Sequence, residues 1–265
     1  MRNVLIGFGS PSDHQKYFTP DFERLDGTQY LMSCNSAHRL PERVKKHATS
    51  MRFDATIAGA GLKNGLSDAF YLHCPEAIHV ALPVYDPMTG GLSSMFSSCE
   101  MPPGCPVGMS KLNDMPAAIS FVNYAMERPY SAVRIHDDGS NERAVADARK
   151  TFEGLGIPVI EDSSASAIDV LIYSDAGLLE EFDHPVIASF AKPVVGADLT
   201  MLDRFMHTVR NDSRVVHTTI GNGGNLALYA AKIIGRNNPD VRAAMEDKFV
   251  ASLDKYTPFR ELIVV

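Results

Sequence analysis

The chain has 265 residues and a net charge of −7, and 45% of its residues are apolar, 8% aromatic and 22% charged. This composition is typical of a soluble globular protein and excludes the disordered and collagen-like classes. At roughly 150 residues per domain, the length predicts about two domains. The acidic balance and the lack of a dense basic run argue against a nucleic-acid polymer as a partner.

The four cysteines, Cys34, Cys74, Cys99 and Cys105, form no CxxC pair, and no histidines lie at zinc-finger spacing from them. We therefore expect a reducing compartment and no structural metal. The N-terminal apolar stretch is too short for a signal sequence, and no segment approaches the roughly 20 apolar residues that span a membrane. These features predict a cytoplasmic protein with no membrane partner.

Short apolar runs alternate with amphipathic stretches, which predicts a parallel sheet with helices on both faces. In the first half, strands are predicted over 4–6, 29–32, 54–57, 77–81 and 107–109, and helices over 41–51 and 115–126. Residues 127–131 (ERPYS) read as a linker. It divides the chain into predicted units 1–126 and 132–265.

The pattern begins again after the linker, with AVRI as a strand, residues 140–155 as a helix capped by Ser140, and IPVI as the next strand. Asp54 before ATIAGAG corresponds to Asp169 before VLIYSDAG, and the offset between matching positions shrinks along the chain. This predicts a shortened internal copy.

The C-terminal helix, predicted over 240–256, carries a stripe of four apolar residues: Val241, Met245, Phe249 and Leu253. Such a stripe packs on its own domain or on a partner subunit.

Polar residues follow the first two strands. The turn Gly9–Asp13 (GSPSD) suits an anion at a helix N-terminus, although a plain helix cap or a degraded dinucleotide fingerprint would also explain it. The second strand leads to Ser36, His38 and Arg39, which combine phosphate-binding groups with a side chain that moves protons near neutral pH. The alternative for His38 is an ordinary polar loop residue. Consecutive parallel strands bring both turns to one sheet edge.

The third strand ends in AGAGLKNGLSD, where small residues would let a ligand lie against bare backbone, or would simply make a tight turn. A fourth segment, GGLSSMFSSCEMPPGCPVGM, joins an apolar helix to a Pro and Gly bend that would cap the site.

Together these segments resemble the phosphoribosylaminoimidazole carboxylase family of purine biosynthesis, which includes the carboxyaminoimidazole ribonucleotide mutases. Three segments carry the family's motifs: GSxSD at 9–13, SAHRxPE at 36–42 and MPxGxPVG at 101–108. The resemblance covers residues 1 to about 126. The second unit resembles a decayed copy, in which EDSSAS stands where SAHR would be.

The resemblance implies an α/β fold of two tandem units, each a three-layer flavodoxin-like parallel sheet, of which only the first is catalytic. It implies His38 as the catalytic residue and eleven substrate-binding residues: Ser10, Ser12, Asp13, Ser36, Arg39, Ala58, Gly59, Ala60, Gly61, Lys63 and Asn64. Ser10, Ser36 and Arg39 would hold the phosphate, and Asp13 the ribose hydroxyls. The turn of Ala58–Gly61 and Asn64 would form the floor under the imidazole and carbon dioxide.

The implied reaction is carboxylation of aminoimidazole ribonucleotide at ring carbon C4 with free carbon dioxide, without a metal or other cofactor. Gly65 stands where the mutases carry a second histidine, which favours the direct carboxylase, whereas Arg39 is the mutase residue. The alternatives are the mutase and a non-catalytic sugar-phosphate-binding homologue. The resemblance implies that family members with a single unit per chain assemble as octamers. A chain with two units would reach eight units with four copies, so we expect a homotetramer of tandem chains.

Overall fold

A computed structural model describes residues 2–17, 24–25, 28–190 and 199–254 of the chain. The nine strands that it describes form one sheet in the order β2-β1-β3-β4-β5-β9-β8-β7-β6. The strands are β1 (Arg2–Phe8), β2 (Thr28–Cys34), β3 (Ala55–Ala60), β4 (Ile78–Pro83), β5 (Gly108–Met109), β6 (Ala132–Asp137), β7 (Ala167–Tyr173), β8 (Val186–Phe190) and β9 (Val215–His217).

The helices connect these strands on both faces of the sheet. They are α1 (Pro11–Tyr17), α2 (Pro41–Ala48), α3 (Gly65–His73), α4 (Leu92–Cys99), α5 (Met115–Glu127), α6 (Glu142–Glu153), α7 (Leu199–Asn211), α8 (Gly223–Gly235) and α9 (Pro239–Asp254), and a 3₁₀ helix spans Ala176–Glu181. The alternation of strand and helix predicted for 1–126 is confirmed, with element ends shifted by a few residues.

Every residue of β3, β4, β7 and β8 is buried, because helices cover both faces of these strands. The central strands are apolar in sequence for that reason. β1 pairs in parallel with β2 and with β3, so the three strands end at the same edge. The turns that follow them are thereby placed side by side.

The two predicted units meet where β5 pairs with β9 in the antiparallel direction, with Met109 opposite His217. Gly108 permits this approach: a Cβ at position 108 would lie 2.4 Å from Val216 Cγ1 and 2.5 Å from Tyr229 Cζ. Strands β1–β5 therefore run opposite to β6–β9. The turns after β6 and β7 lie at the sheet edge away from those after β1 and β3.

Three details of the second half differ from prediction. Helix α6 begins at Glu142, and its cap is Asn141, whose side chain accepts from Ala144 N at 3.0 Å, and not Ser140. The predicted IPVI strand is reduced to a bridge between Val133 and Val159. Pro158 has no N–H to donate to the ladder, which limits this pairing.

The predicted linker is packed into the protein. Tyr130 is 2% exposed and donates a hydrogen bond to Tyr124 O at 3.0 Å. The main apolar core includes residues of both halves, among them Ile57 and Ile168. The boundary between the predicted units is thus crossed by one core.

The apolar stripe of α9 is covered within the chain. Val241 is 2% exposed, Met245 packs against the core, and the ring of Phe249 meets Tyr71 edge-on at 5.7 Å. The side chain of Leu253 lies outside the described residues. Among the helices described, none is long and apolar enough to cross a membrane.

Candidate active site

The turn after β1 presents a chain of hydrogen-bonded oxygens. Ser10 Oγ lies 2.8 Å from Ser12 Oγ and donates to Asp13 Oδ2 at 2.7 Å. Ser10 Oγ also accepts from Asp13 N at 3.1 Å, so Ser10, and neither Ser12 nor Asp13, caps α1. Ser12 is exposed and Asp13 half-buried. The GSPSD turn is therefore both a helix cap and an open polar surface.

The turn after β2 exposes a base and a cation next to a hydroxyl. Ser36 accepts hydrogen bonds from Arg39 N through its Oγ at 3.3 Å and its carbonyl at 3.2 Å, which closes the turn before α2. His38 and Arg39 are exposed. Within the described residues, no carboxylate forms an ion pair with the Arg39 guanidinium. It is thus available to an anionic ligand.

The segment 61–65 after β3 lies between these two turns. A Cβ at Gly61 would lie 3.4 Å from Asp13 Oδ1, and a Cβ at Gly65 would lie 3.4 Å from His38 Nε2. The carboxylate and the imidazole therefore approach the same short stretch of backbone from two sides. The structure thus places Ser10, Ser12 and Asp13 at the Gly61 end of this segment and His38 at its Gly65 end.

Several predicted contact residues lie below this surface. Ala58, Ala60 and Asn64 are buried, and Ala58 packs in an apolar cluster with Phe70. Asn64 donates from Nδ2 to Ala58 O at 3.0 Å, while its Oδ1 is buried without a hydrogen-bond partner in the described part of the chain. Asn64 therefore lies beneath the turn that it was predicted to share a floor with, and its amide holds that turn at Ala58 O. Gly59 is also buried, whereas Lys63 is exposed.

Helix α4 supplies residues that the sequence analysis missed. Ser97 Oγ accepts from Asn64 N at 2.9 Å, and Ser94 Oγ donates to Val84 O at 3.0 Å. These serines bind α4 to the ends of β3 and β4. Their spacing of three residues in LSSMFSSC places both on one helix face, and this was the available signal.

The loop before α4 is ordered by an acid close to the site. Asp86 is 7% exposed and lies beside the position of a Gly61 Cβ, 3.9 Å from it. Asp86 accepts from Thr89 Oγ1 at 2.5 Å and from Thr89 N at 2.8 Å. The side-chain hydrogen bond from Thr89 lowers the pKa of Asp86. Asp86 is therefore a carboxylate at neutral pH, and both of its oxygens accept hydrogen bonds within the loop.

The Pro and Gly bend at 101–108 is held by the second half of the chain. Asn225 accepts from Gly104 N at 2.8 Å and donates to Pro102 O at 3.0 Å. Tyr71 OH donates to Gly104 O at 2.7 Å. The bend follows α4, so Asn225 fixes the end of the helix whose other contacts support Asn64.

The turns after β6 and β7 carry no equivalent constellation. Asp138 accepts from Ser174 N at 2.7 Å, so this carboxylate fills the turn after β7. His136, near the end of β6, has its Nε2 2.7 Å from Asp169 Oδ1. Neither histidine nor arginine occurs in EDSSAS. Among the described residues, no three His, Cys, Asp or Glu side chains group closely enough to hold a metal ion.

Comparison with known proteins identifies the first half. Residues 3–134 match the family described as AIRC: AIR carboxylase. The N5-carboxyaminoimidazole ribonucleotide mutase of Thermotoga maritima is 34% identical over 121 residues, which cover 43% of this chain and 68% of the relative. The chain belongs to the AIR carboxylase family. Its family region carries the turns after β1, β2 and β3.

Two further relatives complete the comparison. The N5-carboxyaminoimidazole ribonucleotide mutase of Methanocaldococcus jannaschii is 36% identical over 81 residues, which span 31% of this chain and only 50% of that family member. The crystal structure of Treponema denticola PurE aligns with a TM-score of 0.41 and 22% identity, covering 47% of this chain and 81% of that protein.

Proposed function

We propose that the first unit carboxylates aminoimidazole ribonucleotide at C4 with carbon dioxide and needs no metal or organic cofactor. The observation that carries this proposal is the placement of His38 against Gly65, with Asp13 on the other side of the same segment. Membership of the AIR carboxylase family supports the substrate class. The absence of a side chain at Gly65 supports the direct carboxylase, since the mutase class carries a second histidine at this position.

In this mechanism the electron-rich ring carbon C4 attacks carbon dioxide and forms the new carbon–carbon bond. C4 then carries both its proton and the new carboxylate. The imidazole of His38 removes the proton, and the electron pair of the C–H bond restores the aromatic ring. A positioned base of this kind typically contributes ~10²- to 10⁴-fold to the rate. Positioning of the two reactants supplies much of the rest.

The remaining exposed groups would hold the ribonucleotide. Arg39, Ser36 and Ser10 would bind the phosphate, with Ser12 extending the hydroxyl surface of the first turn. Asp13 would accept hydrogen bonds from the ribose hydroxyls above Gly61. Gly61 and the backbone of 58–60 would form the floor, and Asn64 would keep that backbone in place. Exposed Lys63 would lie at the rim.

The mutase is the second candidate function. It would move a carboxylate from the exocyclic amine of the substrate to C4, and an ATP-using partner would have to make that carbamate. Two observations favour it: both curated relatives carry the mutase name, and Arg39 is the residue typical of mutases. A non-catalytic sugar-phosphate-binding protein is a third alternative, against which the exposed His38 argues.

We further propose that residues 132–265 are a degenerate copy of the first unit. The order β6-β7-β8-β9, with the bridge at Val159 beside β6, repeats the order of the first five strands, and this supports the duplication. The copy would replace a neighbouring subunit, so that four chains make eight units. Light scattering should report a tetramer, and a stable, active monomer would contradict the assembly.

The test of function compares two substrates in the absence of ATP. Purified protein should form the C4 carboxylate from aminoimidazole ribonucleotide and bicarbonate. Efficient conversion of the carbamate ribonucleotide alone would replace the carboxylase with the mutase. Binding of the ribonucleotide without turnover of either substrate would show that the protein is a non-catalytic sugar-phosphate-binding homologue.

A further inference from the structure

A cavity lies at the opposite edge of the sheet from the candidate active site. It has a volume of about 370 Å³ and is bordered by Asp54 before β3, Pro75 before β4, and the helices α8 and α9. Parallel strands place their amino ends at one edge, so this cavity is separate from the turns around Gly61. Its volume is within the range of small-molecule sites.

The wall of this cavity contains a buried lysine. Lys232 on α8 is 4% exposed, donates to Ala77 O at 3.0 Å, and has its ammonium 4.5 Å from the centre of the Tyr71 ring. An ammonium has three N–H donors. Among the described residues, no carboxylate lies within ion-pair distance of it. Burial lowers the pKa of Lys232 to about 7.

The groups that face Lys232 do not supply the missing negative charge. They are Tyr71, Cys74, Glu76, His79 and Cys105. Burial raises the pKa of both thiols to about 12 and raises that of Tyr71, while burial lowers the pKa of His79. All four are thus neutral near pH 7, and Glu76, the one acid of this set, is exposed.

A second cation lines the cavity with its hydrogen bonds poorly satisfied. Arg236 reaches Asp54 Oδ1 at 3.5 Å and Ala125 O at 3.4 Å, both at the long limit of a hydrogen bond. Its Nε is buried with no hydrogen-bond partner in the described ranges. Arg52 and Arg242 add positive charge to the same cavity. Its acids are Asp54, Glu76 and Glu246, so the cavity has an excess of positive charge when Lys232 is protonated.

The rest of the lining is apolar and aromatic. Phe53 and Met245 contribute to the wall, and the rings of Tyr71 and Phe249 meet edge-on at 5.7 Å. A cavity with a few convergent cations and an aromatic wall suits a ligand with one charged end and an apolar body.

We propose that this cavity binds a small organic anion, with its charged head at Lys232 and Arg236 and its apolar body against Tyr71 and Phe249. The anion supplies the counter-charge that Lys232 lacks and accepts from the unsatisfied donors of both cations. Burial favours the neutral amine, so an anion bound beside Lys232 should raise its affinity for protons and draw a proton onto it. This site is independent of the carboxylation proposed above.

Calorimetric titration of the full chain with benzoate and with phenyl phosphate tests the site and tells a carboxylate head from a phosphate head. Measurements at pH 7.5 in two buffers of different ionisation enthalpy report the protons exchanged. We expect at least one of the anions to bind with proton uptake. Lys232→Met should abolish the uptake and weaken binding at least tenfold, whereas the exposed Lys150→Met should change neither.

Arg236→Gln provides a second variant that keeps the buried amine, and it should weaken binding while retaining proton uptake. Arg39→Ala separates this cavity from the proposed active site and should leave binding unchanged. Failure of both anions to bind wild-type protein would overturn the proposal. So would binding without proton uptake, or binding that Arg39→Ala removes and Lys232→Met does not.

Discussion

At the scale of single residues, the candidate site depends on the small distance between His38 and the backbone at Gly65. A Cβ there would already be in van der Waals contact with Nε2, at 3.4 Å, and any larger side chain would have to share the space over the start of α3. Because Gly65 has no side chain, the His38 imidazole stays open towards segment 61–65, which Asp13 approaches from its other end. This arrangement places an imidazole at the proposed reaction centre.

Substitutions at two neighbouring residues should separate chemistry from binding. His38→Asn removes the base and keeps the proposed phosphate contacts, so turnover should fall by ~10²-fold or more with nearly unchanged substrate binding. Arg39→Ala should chiefly weaken binding, by the ~1.5 to 3 kcal/mol of a charge-assisted hydrogen bond. Arg43→Ala, on the exposed face of α2, is the matched control. Retention of more than a tenth of the wild-type rate in His38→Asn would refute the proton-transfer role.

At the scale of secondary-structure elements, the site depends on a support that runs through both halves of the chain. Asn225 at the start of α8 holds the bend at Gly104, the bend follows α4, and Ser97 of α4 holds Asn64. The second half therefore supports the first through this series of hydrogen bonds. Antiparallel pairing of β5 and β9 makes this contact possible.

The junction between the halves should be sensitive to one added methyl group. A Cβ at Gly108 would overlap Val216 and Tyr229, which are both buried, so neither can move away cheaply. Gly108→Ala should lower the free energy of unfolding by about 1 to 3 kcal/mol in chemical denaturation. Gly177→Ala is the control, because its Cβ would meet nothing closer than 3.6 Å. Equal free energies of unfolding for the two variants would contradict this, because they would show that Val216 and Tyr229 can move away from the added methyl group.

The elements were predictable from sequence where one local rule decides them. Buried apolar strands such as β3 and the Pro-initiated helices α2 and α5 were found in this way. The burial of Asn64 was not, because a polar residue in a turn reads as exposed until the helix that covers it is placed. The single nine-stranded sheet also escaped prediction, since pairing of the two-residue β5 with β9 is a long-range contact that leaves no periodic pattern.

At the scale of the whole molecule, one apolar core joins halves whose strand-end turns face opposite edges of the sheet. The turns of the candidate active site come from the first half, and the cavity at Lys232 lies at the other edge, where α8 and α9 of the second half cover it. Two histidines are also buried along this structure. His79 bonds to Thr56 Oγ1 at 2.8 Å, and His217 bonds to Tyr173 OH at 2.6 Å.

These buried histidines should make the protein sensitive to mild acid. Burial lowers the pKa of His217 from 6.5 to about 4 and also lowers that of His79. Between those pH values the unfolded chain binds a proton that folded His217 does not. Stability is therefore retained above pH 6.5 and falls as the pH drops towards 4, by roughly 3 kcal/mol for this histidine.

Urea denaturation as a function of pH measures this effect. His217→Gln should flatten the loss of stability between pH 6.5 and 4, whatever its absolute stability, while His79 maintains part of the slope. His207→Gln, at an exposed position on α7, should keep the wild-type slope. An unchanged slope in His217→Gln would contradict the assignment of a buried neutral imidazole.

The central claim, direct carboxylation by the first unit, is tested most directly by following the carboxyl carbon. The protein is incubated with the unlabelled carbamate ribonucleotide, or with aminoimidazole ribonucleotide, in ¹³C-bicarbonate without ATP, and the C4 carboxylate is analysed by mass spectrometry. The account predicts label in the product from aminoimidazole ribonucleotide and little enzymatic turnover of the carbamate. Rapid conversion of the carbamate into unlabelled product would contradict it and establish the mutase.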